Sequence, residues 1–391
     1  KELPLGDYTV RETKASNGYL LDETAHPVNG SVPKDQATWV FTYKVGSGED
    51  VIRGDVEIVK FIENLDADDD TIQGLAGIEF TFTSKTTGEK ALVIKTDKNG
   101  FATTASKDNP RGTLVFDTYT VEETRHPANV KPIKPFEVTI SEEGVTLKGI
   151  YKEDKLIVSP VTVVKKDKGT GKTIPAANVT FRLLDENKEP VTMTTRYPDK
   201  VVHETFKTNE NGQFTFPDVL TYGTYYLEEL DAPEGYLKGE LLEFKVTEGS
   251  TWEEPLVVEY ADENAMGRIR IEKTDAETKE ALAGATFEIV AVEDVVTPDG
   301  TLRVAKGDVA DTVTTGKDGK AESKDLFLGK YVVRETRQPD GFILNKEEHE
   351  VELAYAGQDV PVVYGSVEAE NKPTRLFIYK LDEETGEPLA G

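Results

Sequence analysis

Lysine, glutamate and asparagine recur at corresponding places along this chain, and together they could form a covalent bond. A lysine ends each of four apolar runs, VEIVK, VTVVK, IRIEK and LFIYK, at Lys60, Lys165, Lys273 and Lys380. A glutamate occupies the same point of YTVRET, YTVEET, YYLEEL and YVVRET, at Glu12, Glu123, Glu229 and Glu335. Asn264 and Asn371 each lie nine residues before one of these lysines. An amine and a carboxamide in contact can condense to an amide and release ammonia.

The condensation needs a neutral amine and a polarised carboxamide. Burial disfavours charge, so it lowers the pKa of a lysine and raises the pKa of a glutamate, and both groups can then be neutral together. A protonated glutamate can donate to the carboxamide oxygen and pass protons to the leaving ammonia. Holding the three groups in contact supplies the proximity that a single reaction requires. The pattern therefore predicts a self-formed Lys–Asn isopeptide bond.

Strand geometry decides whether these side chains can meet. Side chains alternate between the two faces of a strand, so residues two apart share a face. Lys165 thus shares a face with Val161 and Val163, and Glu229 shares a face with Leu227. Alternatives are a lysine that snorkels to water, a glutamate paired at the surface, and a buried ion pair that serves stability alone. Because the other copies repeat the same placement, we favour a shared core position for both groups.

The spacing of these landmarks divides the chain into repeats. Successive lysines are 105, 108 and 107 residues apart. Short alternating runs rich in Val, Ile, Thr, Tyr and Phe are separated by Gly, Asn, Asp and Pro, which is typical of all-β sandwiches of about 100 residues. We expect an extended rod with repeat one at 54–159, repeat two at 160–266 and repeat three at 267–373. The rear part of a repeat (1–53) and the opening of another (374–391) flank them.

Composition argues against several classes of function. The 73 acidic and 46 basic residues give a net charge of −27 without a basic stripe, which argues against nucleic acid binding. The absence of cysteine excludes disulfides, thiol catalysis and cysteine metal sites. The sequence contains no run of 18 apolar residues, so it predicts no membrane span. The four histidines are scattered, and we expect no metal or other cofactor.

Two short stretches match ligand-binding loops only in part. GTGKT at 169–173 lacks the first glycine of a phosphate-binding loop, because Lys166 stands at that position. DADDDTIQG at 66–74 has acidic residues at calcium-loop spacing, but Gly77 stands where such a loop has glutamate. Both stretches align with plain turns in the other repeats, and we interpret them as a turn and an acidic loop.

Four motifs together carry a resemblance to a known family. They are the stretch from Gly223 to Tyr236, which contains GTYYLEE and APEGY, the strand IRIEKTD, the run LAGATFEI and a closing asparagine. Combined, they resemble the Cna B-type, SpaA-like domains of pilins and adhesins of Gram-positive bacteria, over essentially the whole chain. The resemblance implies tandem prealbumin-like (transthyretin-like), immunoglobulin-like β-sandwiches, each with a self-formed Lys–Asn or Lys–Asp isopeptide bond. It implies that the nucleophiles are Lys60, Lys165 and Lys273. It implies that the catalytic acids are Glu123, Glu229 and Glu335, and that the acceptors are Asn264 and Asn371.

The chain departs from the family pattern in three places. Leu156 stands where the nine-residue spacing requires an asparagine in repeat one, and Asp154 is the candidate acceptor there, which would release water. PANV replaces the PEGY corner of that repeat. In 1–53, Asp50 lies near the acceptor place, while the lysine that would pair with Glu12 lies outside the sequence. Lys380 likewise has no partner within 374–391.

The resemblance implies a structural stalk segment of a cell-wall-anchored surface protein. Its partners would be peptidoglycan, through a C-terminal anchor outside this sequence, and other pilin subunits or host extracellular matrix. Self-crosslinking happens once, so we do not expect an enzyme. Two alternatives stay open. One is an adhesive module, which exposed aromatics clustered in the loops of one repeat would favour and for which Tyr197 and Trp252 are only scattered hints. The other is a set of spacer repeats of a larger secreted enzyme.

Overall fold

The computed structural model describes residues 3–30, 42–65, 72–376 and 378–389. All regular elements within these ranges are β-strands, so the all-β prediction is confirmed. The chain forms two compact units, Lys1–Ile157 and Val158–Gly391. Each of the three central repeats places a sheet that carries its lysine, the lysine sheet, beside a second sheet that carries its glutamate, the glutamate sheet.

The segment before repeat one contributes a two-stranded ribbon. β1 (Asp7–Val10) and β2 (His26–Asn29) pair antiparallel. Tyr8 is half-buried and Val10 is 48% exposed. Within the described residues two strands alone form no second layer, so Tyr8 and Val10 are not buried in a core.

Repeat one is a sandwich of a six-stranded lysine sheet and a four-stranded glutamate sheet. The lysine sheet has the order β10-β12-β3-β4, with β7 and β8 also on β3, and the glutamate sheet has the order β11-β9-β5-β6. In chain order its strands are β3 (Arg53–Ile62), β4 (Gln73–Gly74), β5 (Glu79–Ser84), β6 (Lys90–Lys95), β7 (Phe101–Thr103), β8 (Leu114–Val115), β9 (Asp117–Arg125), β10 (Val130–Lys131), β11 (Phe136–Ile140) and β12 (Val145–Leu156).

Repeat two repeats this plan with a three-stranded lysine sheet, β19-β14-β23, and a glutamate sheet of order β18-β15-β21-β22. Two further pairs, β13 with β20 and β16 with β17, complete it. In chain order the strands are β13 (Val158–Ser159), β14 (Val161–Asp167), β15 (Thr180–Leu184), β16 (Met193–Thr195), β17 (Val201–His203), β18 (Phe206–Lys207), β19 (Gln213–Thr215), β20 (Leu220–Thr221), β21 (Gly223–Glu229), β22 (Leu242–Val246) and β23 (Leu256–Asp262).

Repeat three has a lysine sheet in which β24 pairs with β29, β30 and β33, and a glutamate sheet of order β28-β25-β31-β32. A separate hairpin, β26 with β27, projects from the β25–β28 connection. In chain order the strands are β24 (Met266–Asp275), β25 (Thr286–Ala291), β26 (Val295–Val296), β27 (Leu302–Val304), β28 (Val309–Thr314), β29 (Lys320–Glu322), β30 (Leu326–Phe327), β31 (Gly329–Arg337), β32 (Glu348–Leu353) and β33 (Val362–Asn371).

Alternation along the strands builds one apolar core per repeat. In β14 the residues Val161 and Val163 are fully buried together with Lys165, while the residues between them are only half-buried. In β31 the same face carries Tyr331, Val333 and Glu335. The lysine and glutamate of a repeat therefore enter the core on the faces that the period of two assigns to them.

In each repeat the strand that carries the lysine pairs in parallel with the last strand: β3 with β12, β14 with β23, and β24 with β33. A parallel pair needs a long crossover, and here the rest of the sandwich supplies it. The carboxyl ends of both strands consequently lie at the same edge of the lysine sheet. The last residues of a repeat therefore lie beside the lysine near the beginning of the same repeat.

Candidate cross-linking sites

Three lysines lie in the cores of their repeats without exposure to solvent. Lys60, Lys165 and Lys273 are each 0% exposed. A buried ammonium group is costly unless it is paired or loses its proton. The neighbours of each lysine therefore decide which chemistry the site allows.

In repeat one the lysine lies between two carboxyl groups. Lys60 Nζ donates to Glu123 Oε2 at 3.1 Å and contacts Asp154 Oδ1 directly. Both carboxyl side chains are fully buried. Burial raises the pKa of Asp154 to about 6, against the opposing attraction of the Lys60 amine. The predicted set of Lys60, Glu123 and Asp154 thus lies together in the structure.

In repeat two the lysine also meets two carboxyl groups, but one of them is a residue that the spacing did not select. Lys165 Nζ donates to Glu229 Oε1 at 2.6 Å and contacts Asp262 Oδ2 directly. The ring of Tyr260 lies 4.5 Å from the amine. Burial raises the pKa of Asp262 to about 7, and the Lys165 charge opposes that rise.

Asn264, the predicted acceptor of repeat two, lies in a different contact. Its Nδ2 donates to Asp167 Oδ2 at 2.7 Å. In the parallel register Asp167 is opposite Asp262, and Asn264 follows the end of β23. The contacts of the Lys165 amine therefore make Asp262, rather than Asn264, the acceptor candidate that lies beside it.

The register gives one rule for all three repeats. The acceptor candidate lies opposite the residue two positions after the lysine, as the pairs Ile62 with Asp154, Asp167 with Asp262 and Asp275 with Asn371 show. Two positions along a strand return to the same face, so the acceptor side chain enters the core beside the lysine.

In repeat three the glutamate holds the carboxamide. Asn371 Nδ2 lies 3.1 Å from both Glu335 Oε1 and Glu335 Oε2, and Lys273 Nζ lies 3.6 Å from Glu335 Oε1. Lys273 Nζ and Asn371 Oδ1 are buried without a hydrogen-bond partner. Burial lowers the pKa of Lys273, and the nearby Glu335 charge opposes that change. An amine that loses its proton more readily is a better nucleophile.

Each glutamate reaches its site across the core, from the glutamate sheet, and a backbone group fixes it. The N–H ten residues after the glutamate donates to its Oε2: Ile133 at 3.2 Å, Gly239 at 2.8 Å and Asn345 at 2.7 Å. Asp22 donates to Glu12 in the same way, at 2.6 Å. Sequence analysis missed this anchor because almost any residue type can supply a backbone N–H group. The constant spacing of ten residues is the signal that could have revealed it.

The partial repeats place their candidate residues at the surface. Asp50 Oδ2 pairs with the Arg111 guanidinium at 2.9 Å and is 74% exposed on its side chain. The Asp50 carbonyl accepts from Leu20 N, as the Glu263 carbonyl accepts from Leu237 N, so Asp50 corresponds to the residue after Asp262. Asp50 therefore lies one residue after Glu49, which is at the position that corresponds to Asp262. Lys380 is exposed.

The three central sites share the elements of an amide-forming reaction: an amine, an electrophilic carboxyl or carboxamide carbon, and a second carboxyl that can move protons. No group of three His, Asp or Glu side chains within the described ranges could hold a metal ion. The acidic stretch at 66–71 lies outside the described residues. No helix long and apolar enough to cross a membrane occurs in the described part of the chain.

Comparison with known proteins gives a family match over most of the chain. The model of the SpaA prealbumin-like fold domain matches residues 1–44, 62–154, 159–255 and 267–366. A comparison with curated protein sequences finds no match.

Solved structures of pilins and of one further protein are similar to the chain. The Bacillus anthracis TIE protein is 22% identical, with a TM-score of 0.46, and the match covers 83% of this chain and 52% of that one. BcpA, the major pilin subunit of Bacillus cereus, is 15% identical, with a TM-score of 0.35 and coverage of 82% and 100%. The shaft pilin SpaA from Lactobacillus rhamnosus GG is 18% identical, with a TM-score of 0.22 and coverage of 54% and 97%. The chain spans about half of the TIE protein chain that it matches.

Proposed function

Because the chain belongs to the family of SpaA prealbumin-like fold domains, we propose that it is a stalk segment of a bacterial surface pilin or adhesin whose repeats cross-link themselves. The observation that carries this proposal is the threefold recurrence of a fully buried lysine beside a glutamate and a carboxyl or carboxamide group. Burying two charges for stability alone is often no gain over apolar packing. A recurring reactive site gives a reason to keep them.

In repeats one and two the proposed reaction releases water. The Lys165 amine attacks Cγ of the Asp262 carboxyl, the new N–C bond forms, and one carboxyl oxygen leaves with two protons. The ammonium and carboxylate pair together contains the atoms of the amide and of one water, so no further reactant is needed. Glu229, at 2.6 Å from the amine, takes its proton and returns it to the leaving oxygen. Lys60, Asp154 and Glu123 have the same roles in repeat one.

In repeat three the proposed reaction releases ammonia. The Lys273 amine attacks Cγ of Asn371, and the Nδ2 group leaves. Glu335 lies within hydrogen-bonding distance of this leaving nitrogen, so it can protonate it after receiving the proton of the attacking amine. The reaction happens once in each molecule, and the segment is therefore not a turnover enzyme.

The position of the bonds suits a protein that carries tension. Force enters repeat two at the start of β14 and leaves at the end of β23. A bond between Lys165 and Asp262 would join these strands near their carboxyl ends, so only the few residues from Val161 to Lys165 would carry load. The chain between the two linked residues would be shielded from stretching. A surface stalk anchored to peptidoglycan, or joined to other pilin subunits, needs this property.

The intact mass of the recombinant protein tests the proposal. Each Lys–Asp bond removes about 18 Da and the Lys–Asn bond about 17 Da, so complete cross-linking lowers the mass by about 53 Da. A matched variant with Glu123, Glu229 and Glu335 all changed to alanine should show the full mass that its sequence requires. A wild-type mass without any deficit would refute the cross-linking mechanism.

A further inference from the structure

The second compact unit contains an interface that the cross-linking sites do not use. Only Glu263, Asn264 and Ala265 connect β23 of repeat two to β24 of repeat three. Beside this short connection, the hairpin of repeat three from Val295 to Val304, the docking hairpin, contacts the first turn of repeat two. This first turn of repeat two contains the stretch GTGKT.

Asp167 is the centre of the interface on the side of repeat two, and its two oxygens have separate partners. Its Oδ1 accepts the backbone N–H groups of Gly169 and Thr170, both at 2.8 Å, and so caps its own turn. Asp275 caps the equivalent turn of repeat three through its Oδ1 in the same way. The local turn therefore needs only one oxygen of Asp167.

The second oxygen of Asp167 binds groups from both repeats. Asp167 Oδ2 accepts from Tyr236 Oη at 3.0 Å and from Asn264 Nδ2 at 2.7 Å, and it accepts from Arg303 Nη2 of the docking hairpin at 3.0 Å. The Asp167 side chain is fully buried and that of Arg303 is 13% exposed. A buried, hydrogen-bonded ion pair resists separation, because parting the two charges leaves each without its partner.

Contacts within repeat three hold the side chain of Arg303 in place. Arg303 Nε donates to Thr297 Oγ1 at 2.8 Å, and the guanidinium lies 4.5 Å from the centre of the Phe327 ring. Asp299, whose side chain is also fully buried, accepts from Thr170 Oγ1 of repeat two at 2.8 Å. Lys172 Nζ donates to Thr301 Oγ1 at 3.0 Å.

A second set of contacts involves a different loop of repeat three. Tyr355 Oη donates to the Tyr236 carbonyl at 2.9 Å, and Gln358 Oε1 accepts from Ala232 N at 2.7 Å. With two sets of contacts made by separate loops, repeat three cannot turn about the short connection without breaking one set or the other.

We propose that the docking hairpin is an interaction surface for the preceding repeat and that the Arg303–Asp167 pair fixes the orientation of repeat three on repeat two. The contrast within the chain supports this. Between 1–53 and repeat one, Arg111 pairs with Asp50, and these side chains are 40% and 74% exposed. Repeat one has no such hairpin, because β5 and β6 are joined by a short turn.

Pulsed electron spin resonance between two labels tests the proposal. The chain has no cysteine, so Glu210→Cys in repeat two and Glu350→Cys in repeat three, both exposed, give clean labelling sites. The parent protein should give a single narrow distance between the labels. Arg303→Ala and Asp167→Asn should lose that narrow distance, because each removes the ion pair. Arg303→Gln, which keeps the side-chain stem beside Phe327, gives the same test with less effect on the hairpin.

Arg268→Ala is the matched control, because Arg268 pairs with Asp325 and Glu322 within repeat three. It should keep the narrow distance. The proposal is overturned if Arg303→Ala, Arg303→Gln and Asp167→Asn all keep the parent distance distribution. It is also overturned if Arg268→Ala broadens the distribution as much as they do. The readout does not depend on the isopeptide bonds, whose mass deficit is measured separately.

Discussion

The identity of the acceptor in repeat two can be tested by changing two residues that are two positions apart. The parallel register places Asp262 opposite Asp167, where its side chain contacts the Lys165 amine, whereas the spacing along the sequence selects Asn264. Asp262→Ala should abolish the mass deficit of repeat two, because it removes the carboxyl carbon that we propose as the acceptor. Asn264→Ala should keep it. Asp262→Asn should change the deficit from about 18 Da to about 17 Da, because ammonia leaves instead of water.

The loss of the bond should also lower the stability of repeat two. A link from Lys165 to Asp262 closes a loop of almost 100 residues. The chain-entropy model for disulfides gives about 4–5 kcal/mol for a loop of this length, and we apply it here to an isopeptide bond. Asp262→Ala also leaves the Lys165 amine buried with Glu229 as its single carboxyl partner, which adds to the destabilisation. Denaturant unfolding should therefore show a clear decrease for Asp262→Ala.

High-resolution mass spectrometry of the intact protein and of its proteolytic peptides measures the deficit and locates it. Asp218→Ala, which changes an exposed aspartate of the same repeat, is the matched control and should keep the deficit. The reasoning from register fails if Asp262→Ala keeps the deficit of repeat two while Asn264→Ala removes it. That result would return the acceptor role to Asn264.

The other two repeats give further predictions. Asp154→Asn should change the deficit of repeat one from about 18 Da to about 17 Da, and Asn371→Asp should make the reverse change in repeat three; peptide masses would show both, and an unchanged value would contradict the assigned acceptor. Glu335→Ala should leave repeat three folded but unlinked and less stable by about 4–5 kcal/mol in denaturant unfolding, and full cross-linking in this variant would exclude the proton-transfer role. Asn371→Ala should leave Lys273 buried and unlinked with a pKa lowered by burial. At Lys273 the unfolded state of this variant then binds more protons than the folded state. The stability that the neutral Lys273 amine allows is therefore fully present above the ordinary lysine pKa of about 10.5, and it is lost as the pH falls through the lower pKa of the folded state. Thermal unfolding from about pH 8 to about pH 10 should show stability rising with pH in Asn371→Ala and a smaller rise in the double variant Lys273→Met/Asn371→Ala; equal slopes would show that Lys273 is not responsible.

The sequence alone was sufficient to place the lysines and glutamates of the central repeats, for a simple physical reason. A strand has a period of two, so an apolar alternation assigns every residue to a face without knowledge of its neighbours. Lys165 and Glu229 are both fully buried, as that alternation predicts. Alternation alone does not decide burial, as the exposed Val10 shows, because burial also requires a facing sheet and alternation within one strand contains no information about it.

The acceptor could not be derived in the same way, because it depends on pairing between strands almost 100 residues apart. The nine-residue spacing was counted to the lysine of the following repeat, across a connection whose length is not constant. Asp262 lies eleven residues before Lys273, whereas Asn371 lies nine residues before Lys380. Counting within the repeat, along the register of β14 and β23, selects Asp262 instead. The register itself is a tertiary property that no local pattern determines.

The proposed cross-links and the docking hairpin would stiffen different parts of a tandem chain. A bond between Lys165 and Asp262 would prevent repeat two from extending, but it cannot prevent bending at the three residues that follow. The buried pair of Arg303 and Asp167 opposes that bending, and it lies two residues beyond the cross-linking lysine on the same strand. The exposed pair of Arg111 and Asp50 is of the kind that contributes little to stability. A segment stiffened in this way would keep its shape from repeat two to repeat three and would bend more easily before repeat one.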